Sequence, residues 1–315
     1  MDVVSFGESL VVFNPDTPGP LRQVNGFRKS LGGAESNVLI ALARLGHKAG
    51  WFSKLGDDEF GRFILNSVRA EGVDVSQVKM LENESTGLMF KENYQGFNPN
   101  VLYYRKNSAA STLSVDDVDE DYLKQAKILH ITGITPALSS SACEAVFKAV
   151  KVAKANGVLV SFDPNLRLKL WSLEDAKRKI LELAHYADII MPGIDEAELL
   201  LGMKDVEDIA DYFSGLGSKI VAIKLGSQGC YLRQKSEALF VPGFKVENVI
   251  DTVGAGDGFA AGLLAGVLRQ ESLEESGKYA NGVGAMATLA LGDSDGYPYF
   301  DQLLEFIGYK QRIER

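Results

Sequence analysis

The sequence has little cysteine, little histidine and no excess of positive charge, and each shortage removes a class of protein. Cysteine occurs only at positions 143 and 230 of 315 residues. Neither a disulfide framework nor a cysteine zinc site is suggested, and Cys143 and Cys230 read as small buried hydrophobes. His47, His130 and His185 are scattered without metal-ligand spacing and read as structural. Lys plus Arg number 33 against 42 Asp plus Glu, a net charge of −9. No basic cluster stands ready to neutralise a row of phosphates, which argues against nucleic acid as a partner. No apolar run reaches the roughly 18 residues of a membrane span. The start, MDVVSFGESLVVF, lacks the basic region and small-residue cleavage site of a secretory signal, so a cytoplasmic protein without a membrane partner is expected. Low-complexity tracts and internal repeats are missing too. With 46% hydrophobic and 24% charged residues, the composition is that of a globular chain able to bury a large core.

What is present is alternation. Short β-branched or apolar runs recur at VVSFG (3–7), AGWFSKLG (49–56), ILHITG (128–133), LVSFDPN (159–165), ADIIMPG (187–193) and KIVAIKLG (219–226). Between most of them lie helical patterns such as AESNVLIALARLG, where Val38, Leu42 and Leu45 repeat at helical spacing before Gly46. Strand then helix, repeated, predicts a mostly parallel sheet covered on both faces, with ligands beyond the carboxyl ends of the strands. Segments 12–32 and 86–108 break the rhythm, with turn residues, aromatics and extended runs but no helical period. The second reads as a hairpin, GLMFKENY and VLYYRK around a loop at QGFNPN. Together they predict a small β-sheet lid on a single domain spanning residues 1–315.

The most informative stretch is DTVGAGDGFAAGLLAGVL at 251–268, where a glycine-rich turn opens an apolar helix. The first N–H groups of a helix have no internal acceptor and carry partial positive charge, so they attract anions. Gly254 and Gly256 lack a Cβ and permit a phosphate to approach the main chain. Asp257 follows at the first turn. A carboxylate there repels phosphate, but it can take the proton of a hydroxyl that attacks the phosphorus. The spacing is neither G-x-G-x-x-G nor a Walker sequence.

Read with GGAESNVLIALARLG (32–46) and KLGDDEFG (54–61), this stretch resembles the two signature segments of the ribokinase-like, or PfkB, carbohydrate kinases, and the resemblance runs from residue 3 to about 307. It implies an α/β three-layer sandwich with a mostly parallel central sheet and a small β-sheet lid. It also implies ATP and Mg²⁺ as cofactors, a sugar hydroxyl as acceptor, an anion hole at Gly254, Ala255 and Gly256, and Asp257 as the base. Within the family, GGAESN, YYRKNSAAS, HITGITPALS, FDPNLRLKLW and GDSDGYP are similar to the 2-keto-3-deoxygluconate kinases. That similarity implies phosphorylation of the terminal C6 hydroxyl of the sugar acid. By the same similarity Gly33 and Asn37 hold hydroxyls, as do Asp251 and Asp293, while Tyr103, Arg105 and Arg167 meet the acid end. Arginine suits a carboxylate because its planar fork donates in a fixed geometry. Asn165, Lys224, Gly226, Gly229 and Asn281 fall on the nucleotide side.

Two positions depart from the family pattern. Gly193 stands in MPGIDEAELL where relatives often have Asn, leaving Glu196 as an indirect magnesium partner. Met89 lies in the predicted lid where relatives may offer a tyrosine. Two alternatives stay open, a kinase for a neutral ketose or related deoxy-keto acid and a silent sugar-binding sensor. Pairing of two copies through the lid is also expected, giving a homodimer or higher homo-oligomer.

Overall fold

A computed structural model describes residues 1–92 and 100–310. Within them the strands in chain order are β1 (Val3–Phe6), β2 (Leu10–Pro15), β3 (Phe27–Gly32), β4 (Ala49–Gly56), β5 (Asp74–Leu81), β6 (Leu88–Lys91), β7 (Val101–Tyr104), β8 (Ile128–Thr132), β9 (Leu159–Asp163), β10 (Ile189–Ile190), β11 (Ile220–Lys224), β12 (Gly229–Gln234) and β13 (Glu237–Pro242). Nine of them form one sheet in the order β13-β12-β11-β10-β9-β8-β1-β4-β5. It is parallel from β5 to β11 and closes with an antiparallel edge, β12 against β11 and β13. Every run read as a strand from the sequence contributes to it. β5, β12 and β13 lie outside those runs, and the sequences of the two edge strands β5 and β13, DVSQVKML and EALFVP, mix polar and apolar residues as edge strands do.

Period-two alternation makes the layers. Val3, Ile189, Ile220 and Ala222 face one apolar core, whereas Val4, Ile190, Val221 and Ile223 face the other. The first core is completed by helices Ala34–Arg44, Ala255–Arg269 and Leu273–Ala287, the second by Ser140–Ala155, Leu173–Ala184 and Val206–Gly215. Helices thus sandwich the sheet as expected, because strands buried on both faces need cover on both. Cys143, Cys230 and His130 are buried, and burial lowers the His130 imidazole to about 3. No helix among the described residues is long and apolar enough to cross a membrane.

The lid is a second sheet of order β3-β2-β6-β7. Its strands come from both predicted segments, and β2 begins at Leu10, two residues before the expected boundary. Alternation again assigns faces: Val12, Met89 and Tyr103 align on one side, Phe13, Phe90 and Leu102 on the other. The first side looks over the carboxyl ends of the main strands. The loop read at QGFNPN falls almost wholly outside the described residues.

Candidate active site

The parallel strands deliver side chains where they end. Glu8 follows β1, Asp163 ends β9 and is followed by Asn165 and Arg167, Glu196 follows β10, and Lys224 ends β11. All of them line a cavity of about 450 Å³ roofed by Met89, Tyr103 and Arg105 of the lid and closed by Gly254, Gly256 and Asp257. A second cavity of about 510 Å³ lies on the other side of the glycine turn. It is mostly apolar, with Phe244, Val246, Val249 and Phe259 in its wall. Lys224, Thr252 and Gly256 belong to both cavities. The turn is the threshold between them.

The turn owes its shape to Gly254, whose φ of 85° lies in the left-handed region. A Cβ there would overlap the main-chain oxygen of Asp293, whereas a Cβ on Gly256 would meet only the Lys224 ammonium, at 3.8 Å. Gly254 is therefore needed by the fold and Gly256 leaves room at the threshold. Tyr297 fixes the turn from behind, its hydroxyl donating to the Gly254 carbonyl at 2.8 Å. Helix Ala255–Arg269 begins here, and its residues from Asp257 to Gly266 are buried.

Asp257 therefore sits at the first turn of a rigid, buried helix. Its Oδ2 accepts from the Asn37 amide at 2.8 Å and its Oδ1 from the Asn165 amide at 3.3 Å. Burial raises its carboxyl to about 7, opposed chiefly by the Asn37 hydrogen bond. A base poised near neutrality is the form that proton abstraction uses best. The Asn37 Oδ1 is buried without a partner among the described residues, so it is free to accept from a ligand hydroxyl.

The two arginines differ. Arg105 donates to Glu8 Oε2 through Nε at 2.6 Å and also pairs with it through Nη2, and Ser108 donates to the other Glu8 oxygen. Glu8 is 2% exposed. Among the described residues Arg167 donates only to its own neighbour, the Leu166 carbonyl. Among the described residues no carboxylate lies within ion-pair distance of it. Arg167 is thus the guanidinium left for an anion entering the first cavity.

Lys224 donates to both oxygens of Asp163, each at 2.8 Å, and the two carboxylates of Asp163 and Glu196 raise its ammonium against the opposing effect of burial. Glu196 accepts from the Leu166 N–H at 2.7 Å and the Gly193 N–H at 2.8 Å. With Gly193 bare, Glu196 is the carboxylate left at that edge. No group of three His, Cys, Asp or Glu suited to a metal occurs among the described residues. One edge carboxylate fits Mg²⁺, which keeps most of its water and binds mainly through phosphates.

Of the residues singled out in the sequence, Gly33, Asn37, Tyr103, Arg105, Asn165, Arg167, Glu196, Lys224, Gly254, Gly256, Asp257 and Asp293 all line the first cavity. Gly226, Gly229, Ala255 and Asn281 line the second. The Asn281 amide is already committed to the Val241 and Pro242 carbonyls, at 2.9 and 3.1 Å. Asp251 lines neither cavity. Its carboxylate accepts from Lys91 at 3.0 Å and from the Val253 N–H at 3.0 Å, behind the cavity lining. Sequence reasoning missed Glu8, Lys91 and Asp163. Glu8 and Asp163 carried a usable signal, since each sits at or just past the end of a buried parallel strand. Lys91 carried none.

Comparison with known proteins identifies the family. A profile described as pfkB family carbohydrate kinase matches residues 1–298. The chain is 43% identical to the 2-dehydro-3-deoxygluconokinase of Bacillus subtilis, over 100% of this chain and 98% of the relative. It is 37% identical to Fructokinase-1 of Zea mays, over 97% of each. Among solved structures, a putative ribokinase II from E. coli in complex with ATP and Mg²⁺ superposes with a TM-score of 0.91 at 30% identity, covering 97% of this chain and 98% of that one. A parallel sheet ending in a two-chambered cleft, a glycine threshold with a buried acid beside it, and a match over nearly its whole length together place this chain in the pfkB family of carbohydrate kinases.

Proposed function

We propose that the chain transfers the γ-phosphate of ATP to the C6 hydroxyl of 2-keto-3-deoxy-D-gluconate, giving the 6-phosphate and ADP. The observation that carries this reading is the position of Asp257, buried on the threshold with the unpaired Arg167 in the same chamber. The polar first cavity takes the sugar acid and the apolar second one the adenosine, so the transferring phosphoryl lies over Gly256 and Lys224. Arg167 binds the carboxylate, and Asn37 accepts from a hydroxyl while orienting Asp257. Asp257 takes the C6 proton as the new O–P bond forms and the bond to the β-phosphate bridging oxygen breaks. The first-turn N–H groups and the Lys224 ammonium hold the charge on the equatorial oxygens. Glu196 is the side chain that would hold a magnesium ion, through water, and the ion would supply further charge neutralisation. The lid excludes water from the first chamber. The lid face turned from the site carries Phe13, Phe27 and Phe90, half-buried and packed together with Phe13 also against Phe60, beside Tyr104, which is 63% exposed. That apolar surface supports pairing of two copies.

A neutral ketose is the second reading, favoured by the neutralisation of Arg105 by Glu8, which lowers the positive charge of the chamber. A coupled ADP-release assay over sugar acids and ketoses, with and without magnesium, decides between them. The sugar-acid reading expects the highest kcat/KM on 2-keto-3-deoxygluconate. A higher value on fructose rejects it.

A further inference from the structure

Lys91 ends the lid strand β6, yet it is one of the most buried charges in the chain. Its ammonium donates to Asp251 Oδ2 at 3.0 Å and to Asp293 Oδ1 at 2.9 Å, and the three side chains are 4%, 8% and 7% exposed. Each of the two acidic residues is in turn attached to the glycine threshold, Asp251 by its carboxylate and Asp293 by its main chain. Asp251 Oδ1 accepts from the Val253 N–H at 3.0 Å, one residue before Gly254. The main-chain oxygen of Asp293 packs so closely on Gly254 that no Cβ fits between them. One cation from the lid therefore holds both flanks of the turn on which the phosphoryl is to rest.

Electrostatics makes this arrangement conditional. Two buried carboxylates sharing one ammonium are tolerated; without it they repel each other, and one must take a proton or move toward solvent. Either response displaces residues 251–254 or 293. A sequence-local tie could not have this effect, because β6 reaches the turn only when the lid sheet lies over the site.

We propose that Lys91 is a positioning residue that couples the lid to the anion hole, so that residues 252–256 hold phosphoryl-binding geometry only while the lid is seated. The proposal rests on the phosphoryl-transfer reading above and not on the identity of the acceptor. The test accordingly uses whichever acceptor the wild type turns over best, and an error about the sugar leaves it intact. Lys91→Ala opens a cavity lined by two carboxylates, large enough for a small ammonium ion. The expected result is a fall in kcat of at least about tenfold with a smaller change in KM for ATP, because the apolar wall of the second cavity at Phe244, Val246 and Val249 lies away from the displaced turn. Methylammonium should restore part of the lost kcat, and tetramethylammonium, which cannot donate a hydrogen bond, should not, at equal ionic strength. Turnover within twofold of wild type overturns the proposal, and so does a loss that methylammonium leaves untouched. If Lys91→Ala does not fold, the double variant Lys91→Met with Asp251→Asn removes the repulsion along with the cation. The proposal then expects turnover well above that of Lys91→Met alone, and equal or lower turnover refutes it.

Discussion

Asn37 and Asp257 stand 220 positions apart in the chain and 2.8 Å apart in the fold, the amide of one donating to the carboxylate of the other. This bond joins the start of the helix Ala34–Arg44 to the start of the helix Ala255–Arg269. It also opposes the burial that raises the Asp257 carboxyl.

The pH profile follows from it. Burial raises the Asp257 carboxyl to about 7, and only the ionised form accepts a proton. The kcat/KM for the acceptor should rise about tenfold per pH unit below that value and level off above it. Asn37→Ala removes the hydrogen bond that lowers the carboxyl, so the rising limb should move to higher pH. An unmoved limb in a folded, active Asn37→Ala protein would show that the bond does not tune the base.

Stability should change with pH in the same residue. A carboxyl raised from an ordinary 3.8 to about 7 in the folded state favours folding while it is protonated. That contribution is whole below the unfolded value and is lost progressively as pH rises from 3.8 to about 7. Asp257→Asn cannot ionise. It should be more stable than wild type at pH 8 by roughly 1–3 kcal/mol, less than the full shift implies because the amide meets the Asn37 and Asn165 donors poorly. The margin should shrink toward pH 4. Urea melts at the two pH values measure it, and turnover should meanwhile fall by roughly 10²–10⁴.

The two threshold glycines should fail differently. Gly254→Ala forces a left-handed residue into the Asp293 main chain and should cost at least about 1–3 kcal/mol of stability. Gly256→Ala meets only the end of Lys224, so its melting temperature should stay near that of wild type. Its methyl group fills the space the phosphoryl needs, and kcat should drop by about tenfold or more. Thermal melts beside steady-state kinetics separate the two effects.

Arg167 and Arg105 should also part company. Arg167→Ala should raise KM for a sugar acid by about tenfold or more and leave any neutral ketose activity nearly unchanged. Arg105→Ala instead strands the buried Glu8, and should show first as a loss of roughly 3 kcal/mol in stability. Equal losses on acid and ketose in Arg167→Ala would remove its assigned contact.

Legibility in the sequence followed locality. Parallel strands buried on both faces are continuous apolar runs, so β1, β8, β9 and β11 were evident, and the glycine turn was evident because only glycine supplies its backbone. Edge strands β5 and β13 were not, since half their residues meet solvent and their pattern resembles that of a loop. The same limit applies to the site. Asp257 announces itself through its neighbours in sequence, but Lys91 draws its meaning from Asp251 and Asp293, 160 and 202 positions away. A lysine in LMFKEN reads as an ordinary surface charge until the lid is folded over the turn. Arg105 was likewise legible as a lid arginine, and its pairing with Glu8 was not.

On the proposed reading, the glycine threshold between the two cavities separates what the enzyme gives from what it receives. The first chamber draws Met89 and Tyr103 from the lid strands and Asn37, Arg167 and Asp257 from the body of the fold, whereas the lining of the second takes nothing from the lid. Exchanges at the lid positions Met89 and Tyr103 could therefore redirect the same phosphate machinery to a new carbon source while leaving the lining of the nucleotide chamber as it is.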